Sequence, residues 1–217
     1  MQPLDYPGPV IHAPGVLEAD GAWTELGAGR PLPELLTAGR ACVVAVGSNG
    51  SSPRLHAKLA AAGAADRVAM VPYEVSGIGI AHSAHVSIAG YVATTPYGLT
   101  DGRVRVVASW FTVDQLAAVD ATERNYDRLP LPDSVRGVPD GAQAYVSRWG
   151  VLAPGGAVLA ATTQARVHEA LARDPVLAEL LPLGDPAATV AALRDRVTSV
   201  AVRERLREVG WVLPTGL

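Results

Sequence analysis

The fold of this chain is decided by residues 41–53, which read A-C-V-V-A-V-G-S-N-G-S-S-P. Six apolar residues in a row, three of them valine, predict a strand that is covered on both faces. Gly47 and Gly50 favour a turn with positive φ, which lets the backbone approach a ligand. The Ser-Ser-Pro that follows suits the cap and first turn of a helix. We expect free N–H groups at the positive end of a helix dipole, which is an anion site; an ordinary strand-turn-helix connection is the alternative.

Length and composition indicate one well-cored globular domain. The chain has 217 residues, of which 49% are hydrophobic and 18% are charged. The net charge of −3 leaves no surplus of basic residues to neutralise phosphates. We therefore expect neither a nucleic-acid partner nor an anionic membrane. Lys58 is the single lysine among 18 basic residues, which we attribute to genome composition.

Cysteine usage and the first residues indicate a cytoplasmic protein by elimination. The single cysteine, Cys42, lies inside the apolar run and excludes an intramolecular disulfide. Residues 1–15 contain four prolines and lack the pattern of a signal peptide. No apolar stretch approaches the 18 residues of a membrane span.

Outward from residues 41–53, the sequence predicts an α+β fold in three parts. Residues 1–40 form a Pro/Gly-rich arm with a short helix at 32–38, and residues 41–150 form the main domain. Residues 151–217 form a helical extension with helices at 163–173, 176–181 and 185–208, the last of these open to internal breaks. This extension either covers the main domain or forms a homodimer face.

Within the main domain, alternation and turn residues predict three further strands before a helix. These strands cover residues 67–75, 85–95 and 103–111, with a turn at Thr100-Asp101-Gly102 that pairs the last two as a hairpin. Thr112 and Gln115 form a capping box for a helix over residues 113–124, and a later strand covers 141–149.

Common catalytic and metal motifs are absent from the sequence. It contains no nucleotide-binding glycine fingerprint, no G-x-S-x-G and no H-E-x-x-H. His82 and His85 would point to opposite faces of a strand, so we expect no metal site there. The other three histidines lack partners at ligand spacing, and all five are expected to be surface or satisfied residues.

Glu123 is the candidate acid/base. It follows Val119 and Asp120 on the expected inner edge of the helix over 113–124. Partial desolvation there would raise its pKa toward the range that suits proton transfer. The alternative is a solvated Glu123 at a helix end, paired with Arg124 or Arg128.

Two motifs together resemble the gamma-glutamylcyclotransferase-like family. The first is V-G-S-N-G at residues 46–50 and the second is V-D-x-T-E-x-x-Y-x-R at residues 119–128. Family members carry a Y-G-S-N type loop and an L-D-x-x-E helix end followed by tyrosine and arginine. The resemblance spans residues 41–150. It departs from the family at Val46, where tyrosine is usual, and at Gly50, where leucine is frequent.

The resemblance implies a fold, a reaction and a site. The fold is a small mixed β-barrel flanked by helices. The reaction closes a γ-glutamyl group to 5-oxoproline and releases an amine or amino acid, without cofactor or metal. Glu123 would be the catalytic acid/base. The residues implied for substrate binding are Val46, Gly47, Ser48, Asn49, Gly50, Tyr126 and Arg128.

Two other functions stay open. A non-catalytic module could keep the barrel and bind a small carboxylated ligand or a partner protein; Val46 favours this reading and Glu123 disfavours it. An amidotransfer enzyme could use the same residues on a γ-glutamyl-protected metabolite. The leaving group cannot be read from the sequence.

Overall fold

A computed structural model describes residues 2–27 and 30–217. Positions 1, 28 and 29 of the predicted N-terminal arm lie outside the described residues. The chain divides into two compact units. We call them the sheet unit, which holds the described residues of 7–79 with 98–146 and 217, and the helical unit, which holds residues 2–6, 80–97 and 147–216.

The strands of the sheet unit form a mixed sheet. They are β1 (Gly15–Leu17), β2 (Trp23–Glu25), β3 (Ala41–Ala45), β4 (Val68–Val86), β5 (Val92–Phe111), β6 (Tyr126–Pro130) and β7 (Gln143–Ser147). The last part of β4 (80–86), the first part of β5 (92–97) and the last residue of β7 belong to the helical unit. The order is β2-β1-β4-β5-β3-β7-β6. β3 pairs antiparallel with β5 and parallel with β7, so the apolar run of residues 41–45 is central, as predicted.

The expected barrel is wrong. Within the described residues, β2 and β6 end the strand order and do not pair with each other, so the sheet is not closed. The broader α+β prediction is confirmed by the mixed sheet and six described α-helices.

The two longest strands also correct the predicted boundaries. β4 and β5 have 19 and 20 residues and meet at a tight turn where the Ser87 N–H donates to the Tyr91 carbonyl. The chain therefore turns at residues 87–91, inside the strand predicted over 85–95. Thr100-Asp101-Gly102 is not a turn but part of β5.

Two helices pack on the sheet unit. They are α1 (Ser52–Ala61) and α2 (Val113–Asp120). Leu55 and Leu59 of α1 are fully buried. They belong to the same apolar cluster as Val43 and Val107 of the sheet. The predicted capping box is confirmed, because the Thr112 side chain accepts from the Gln115 N–H and the Gln115 side chain accepts from the Thr112 N–H. However, α2 ends at Asp120, so Glu123 lies in the turn beyond it instead of on the helix.

The helical unit contains the four helices of the C-terminal part of the chain. These are α3 (Gln164–Leu171), α4 (Pro175–Leu180), α5 (Pro186–Arg194) and α6 (Arg196–Glu208), close to the predicted ranges. Prolines and capping aspartates set their boundaries: Asp174, Asp185 and Asp195 each accept a backbone N–H at a helix start. The short strands β8 (Val151–Leu152) and β9 (Val212–Leu213) pair with each other, and β8 pairs with the end of β4.

An ion pair between α4 and α6 reinforces this unit. Arg205 donates to both carboxylate oxygens of the nearly buried Asp174, at 2.8 to 3.2 Å. Buried leucines and valines of the same unit form an apolar cluster. No described helix is long and apolar enough to cross a membrane.

Candidate active site

The predicted loop follows β3 as a short 3₁₀ turn over Ser48–Gly50, and α1 begins directly after it. The expected positive φ is wrong at both glycines: Gly47 has φ −144°, and Gly50 is not among the described residues with positive φ. Gly50 instead packs closely against two valine side chains. A Cβ there would lie 3.2 Å from Val10 Cγ1 and 3.3 Å from Val107 Cγ2, closer than most real contacts.

The backbone N–H groups of the loop divide into two sets. Those of Gly50 and Ser51 donate within the turn, to the carbonyls of Gly47 at 2.9 Å and Ser48 at 3.1 Å. Those of Ser48 and Asn49 donate to no acceptor among the described residues. Ser51 occupies the N-cap of α1, but its buried hydroxyl makes no cap bond and has no described partner. The turn therefore presents unused donors next to a helix start, as an anion site requires.

Asn49 and Glu123, which lie 74 residues apart in sequence, meet at this turn. The Asn49 Nδ2 donates to Glu123 Oε1 over 3.1 Å. Lys58, in the second turn of α1, bridges the pair: its Nζ lies 2.5 Å from Glu123 Oε1 and 2.7 Å from Asn49 Oδ1. The three side chains form a closed triangle in which every edge is a hydrogen bond.

Glu123 is held by one oxygen only. Oε1 receives both donors, while Oε2 has no described hydrogen-bond partner. The side chains of Lys58 and Glu123 are 19% and 14% exposed, so water screens their charges only in part. A carboxylate fixed at one oxygen and open at the other can transfer a proton at the open oxygen.

A second polar cluster flanks the triangle. Arg128 donates to both oxygens of Asp120, at 2.9 and 3.1 Å, and also to Gln143. The Tyr145 hydroxyl donates to Asp120 Oδ1 over 2.6 Å. Burial alone would raise the pKa of Asp120, but the hydrogen bonds from Arg128 and Tyr145 outweigh it and lower that pKa.

Groups of both clusters contribute to a raised pKa of the Tyr145 hydroxyl. Burial is the main cause that raises its pKa, followed by the hydrogen bond to Asp120 and the charges of Asp120 and Glu123. The hydroxyl therefore stays protonated and acts as a donor to Asp120.

The remaining predicted residues take different positions. The Tyr126 N–H donates to the Glu123 carbonyl over 2.9 Å, and its ring packs against an apolar cluster of the sheet unit. Val46 packs, partly buried, against another such cluster. Arg128, predicted to bind substrate, pairs with Asp120, so its pairing with Glu123, which was part of the alternative reading, is not seen.

The sequence interpretation missed Lys58, Asp120 and Tyr145. Lys58 carried a readable signal as the single lysine among arginines, but that signal was attributed to composition. Asp120 belongs to the second motif but had no assigned role, and Tyr145 carried no signal, because their contact depends on the packing of α2 against β7. The histidine expectation also needs correction at His168, which is buried with neither ring nitrogen partnered among the described residues.

Comparison with family models, with curated proteins and with solved structures returned no match for this chain. The assignment of function therefore depends on the geometry described above.

Proposed function

We propose that this chain is a gamma-glutamylcyclotransferase-like enzyme, which closes a γ-glutamyl group to 5-oxoproline and releases an amine or amino acid. The observation that carries the proposal is the triangle of Asn49, Lys58 and Glu123, which joins the two motifs of the resemblance at one place. A cytoplasmic location is part of the same proposal.

The proposed chemistry is an intramolecular aminolysis. Glu123 Oε2 takes a proton from the substrate's α-ammonium, and the freed nitrogen attacks the γ-carbonyl carbon. The new C–N bond closes the five-membered lactam as the bond to the leaving nitrogen breaks. Glu123 then returns its proton to that nitrogen, and a second proton passes from the ring nitrogen to the released amine through solvent. The carboxylate is regenerated, as general acid/base catalysis requires.

The loop and Lys58 supply the positive potential that a γ-glutamyl group needs. The N–H groups of Ser48 and Asn49 and the start of α1 suit the substrate's α-carboxylate. Lys58 keeps Glu123 in place through Oε1. Binding the carboxylate beside Glu123 folds the glutamyl chain so that its amine reaches its own γ-carbonyl, which is a proximity effect.

In this proposal, the turn that carries Glu123 is held in position by Asp120, Arg128 and Tyr145. Their hydrogen bonds join α2, β6 and β7 directly behind the turn that carries Glu123. Arg128, predicted as a substrate-binding residue, is assigned here to positioning, since its Nε and Nη2 donate to Asp120 and its Nη1 donates to Gln143.

One observation favours a second candidate, a non-catalytic binding module. Asn49, Lys58 and Glu123 satisfy one another, so the triangle would also serve as a structural link between the loop, α1 and the turn after α2. A module of this kind would bind a small carboxylate at the loop without turnover.

The test is release of 5-oxoproline from a panel of γ-glutamyl dipeptides, γ-glutamylamines and glutathione. The panel is run with the unaltered chain and with Glu74→Gln, a control that removes an exposed carboxylate of the same unit. Release from at least one class by both proteins is expected. Saturable binding of a γ-glutamyl compound by calorimetry, with no release from any member, would favour the binding module.

A further inference from the structure

A second charged site lies in the helical unit, around Trp149. The guanidinium carbon of Arg203 lies 4.2 Å from the centroid of the indole ring, and that of Arg207 lies 5.1 Å from it. Both arginines belong to α6, four residues apart, so they project from the same side of the helix. Two cations therefore share one aromatic platform.

The charges of these two arginines are not compensated by carboxylates. Neither guanidinium makes an ion pair or hydrogen bond with any described residue, and the Nε of Arg203 is buried with no described acceptor. Glu208, an acidic residue on the same helix, pairs with Arg205 instead. Like charges at this helical spacing repel each other, and stacking on the ring offsets only part of that cost.

Hydrogen bonds hold the backbone of Trp149 in place. The backbone N–H of Trp149 donates to Ser147 Oγ over 3.0 Å, and Ser147 Oγ lies 2.6 Å from Ser83 Oγ. Ser83 Oγ lies 2.6 Å from Nδ1 of the buried His85. Burial, followed by the charge of Arg203, lowers the pKa of His85 to about 4, so the ring is uncharged near pH 7. The arginines thus give the site its positive charge.

We propose that Arg203 and Arg207 form a binding site for a phosphate group, carried either by inorganic phosphate or by a phosphomonoester. The planar guanidinium presents paired donors that match phosphate oxygens, and an anion between two such groups removes their repulsion. The ring of Trp149 holds both groups in place before the anion arrives. This site is independent of Glu123 and of the proposed cyclotransferase reaction.

The test is calorimetric titration of the full chain with inorganic phosphate, and in a parallel arm with glycerol 3-phosphate. Ionic strength is held constant with chloride, because salt screens exposed charges. The variants are Arg203→Gln and Arg207→Gln. Arg196→Gln is the matched control, since it removes the same charge from the exposed first turn of α6. Circular dichroism checks that each variant is folded.

The expected result is saturable binding that weakens at least about tenfold in Arg203→Gln and Arg207→Gln, the factor expected for one lost charge-assisted hydrogen bond. Arg196→Gln should bind as the unaltered chain does. Tighter binding of the ester would identify a phosphomonoester as the ligand, and equal binding would identify free phosphate. Arg207 is exposed, so its substitution should fold even if that of Arg203 does not. An unaltered chain that binds neither compound, or a folded Arg207→Gln variant that binds both normally, would overturn the proposal.

Discussion

At the scale of single residues, Lys58 gives the candidate site its character. A carboxylate beside an ammonium group at 2.5 Å, with both side chains largely shielded, is held more firmly than a surface ion pair. The amide of Asn49 donates to the carboxylate and accepts from the ammonium, so each group fixes the other two. Loss of any member leaves a polar group without its partner.

We expect the interaction of Lys58 with Glu123 to stabilise the fold by about 1 kcal/mol, within the range of hydrogen bonds to charged groups that are partly exposed. A double-mutant cycle with Lys58→Met and Glu123→Gln, measured by urea unfolding, should yield a coupling energy of this size. The control cycle pairs Glu123→Gln with Arg54→Met, which removes a cation of α1 that makes no described contact with Glu123. Equal coupling in the two cycles would show that the described contact does not form.

At the scale of elements, the sequence predicts the strands and helix boundaries that are marked by local sequence signals. The apolar run gave β3, the Thr112 and Gln115 pair gave the start of α2, and prolines gave the boundaries of the C-terminal helices. These signals depend on neighbouring residues alone. The sequence misplaces the turn between β4 and β5, because two residues occupy positions that their residue types do not favour.

Ile88 and Gly102 are those two residues. Ile88 looks like a strand residue but lies at the turn and is 95% exposed. Gly102 looks like a turn residue but lies within β5, where its missing side chain admits the Ile78 carbonyl. Similarly, the contact of Lys58 with Glu123 joins distant segments and could not be predicted from spacing, whereas the approach of residues 46–50 to Glu123 was implied by the family resemblance.

Gly102→Ala tests the length of β5. A Cβ at this position would lie 2.5 Å from the Ile78 carbonyl oxygen, so the two strands would have to separate. We expect a loss of about 2 kcal/mol in the free energy of unfolding, typical of strain in a packed region. Thermal or urea unfolding measures it. Gly27→Ala is the control, because no described atom beyond its chain neighbours lies within 4 Å of the point that a Cβ would occupy; equal stability of the two variants would indicate that Gly102 lies in an open turn.

At the scale of the whole molecule, we expect stability in acid to depend on the buried His85. His85 is 4% exposed, and its pKa is lowered from the ordinary 6.5 to about 4, mainly by burial. The unfolded chain therefore takes up a proton at a higher pH than the folded chain does. The associated stability is fully present above pH 6.5 and is lost as the pH falls from about 6.5 to about 4.

We expect His85 alone to remove about 2 to 3 kcal/mol of stability across this window, since each unit of difference corresponds to about 1.4 kcal/mol. Urea unfolding of the whole chain at pH 7 and pH 4.5 measures the loss. His85→Gln should make stability less dependent on pH. The same substitution at the exposed His12 controls for the loss of one histidine. An unchanged pH dependence in His85→Gln would contradict the assignment.

The central claim is that Glu123 transfers the proton in cyclisation, and one measurement tests it most directly. The rate of 5-oxoproline release by Glu123→Gln is compared with that of the unaltered chain on the best γ-glutamyl substrate, with substrate binding followed by calorimetry. We predict a fall in kcat of at least about 100-fold, typical of a lost general acid/base, while binding is retained. A variant that releases 5-oxoproline at the unaltered rate would contradict the claim.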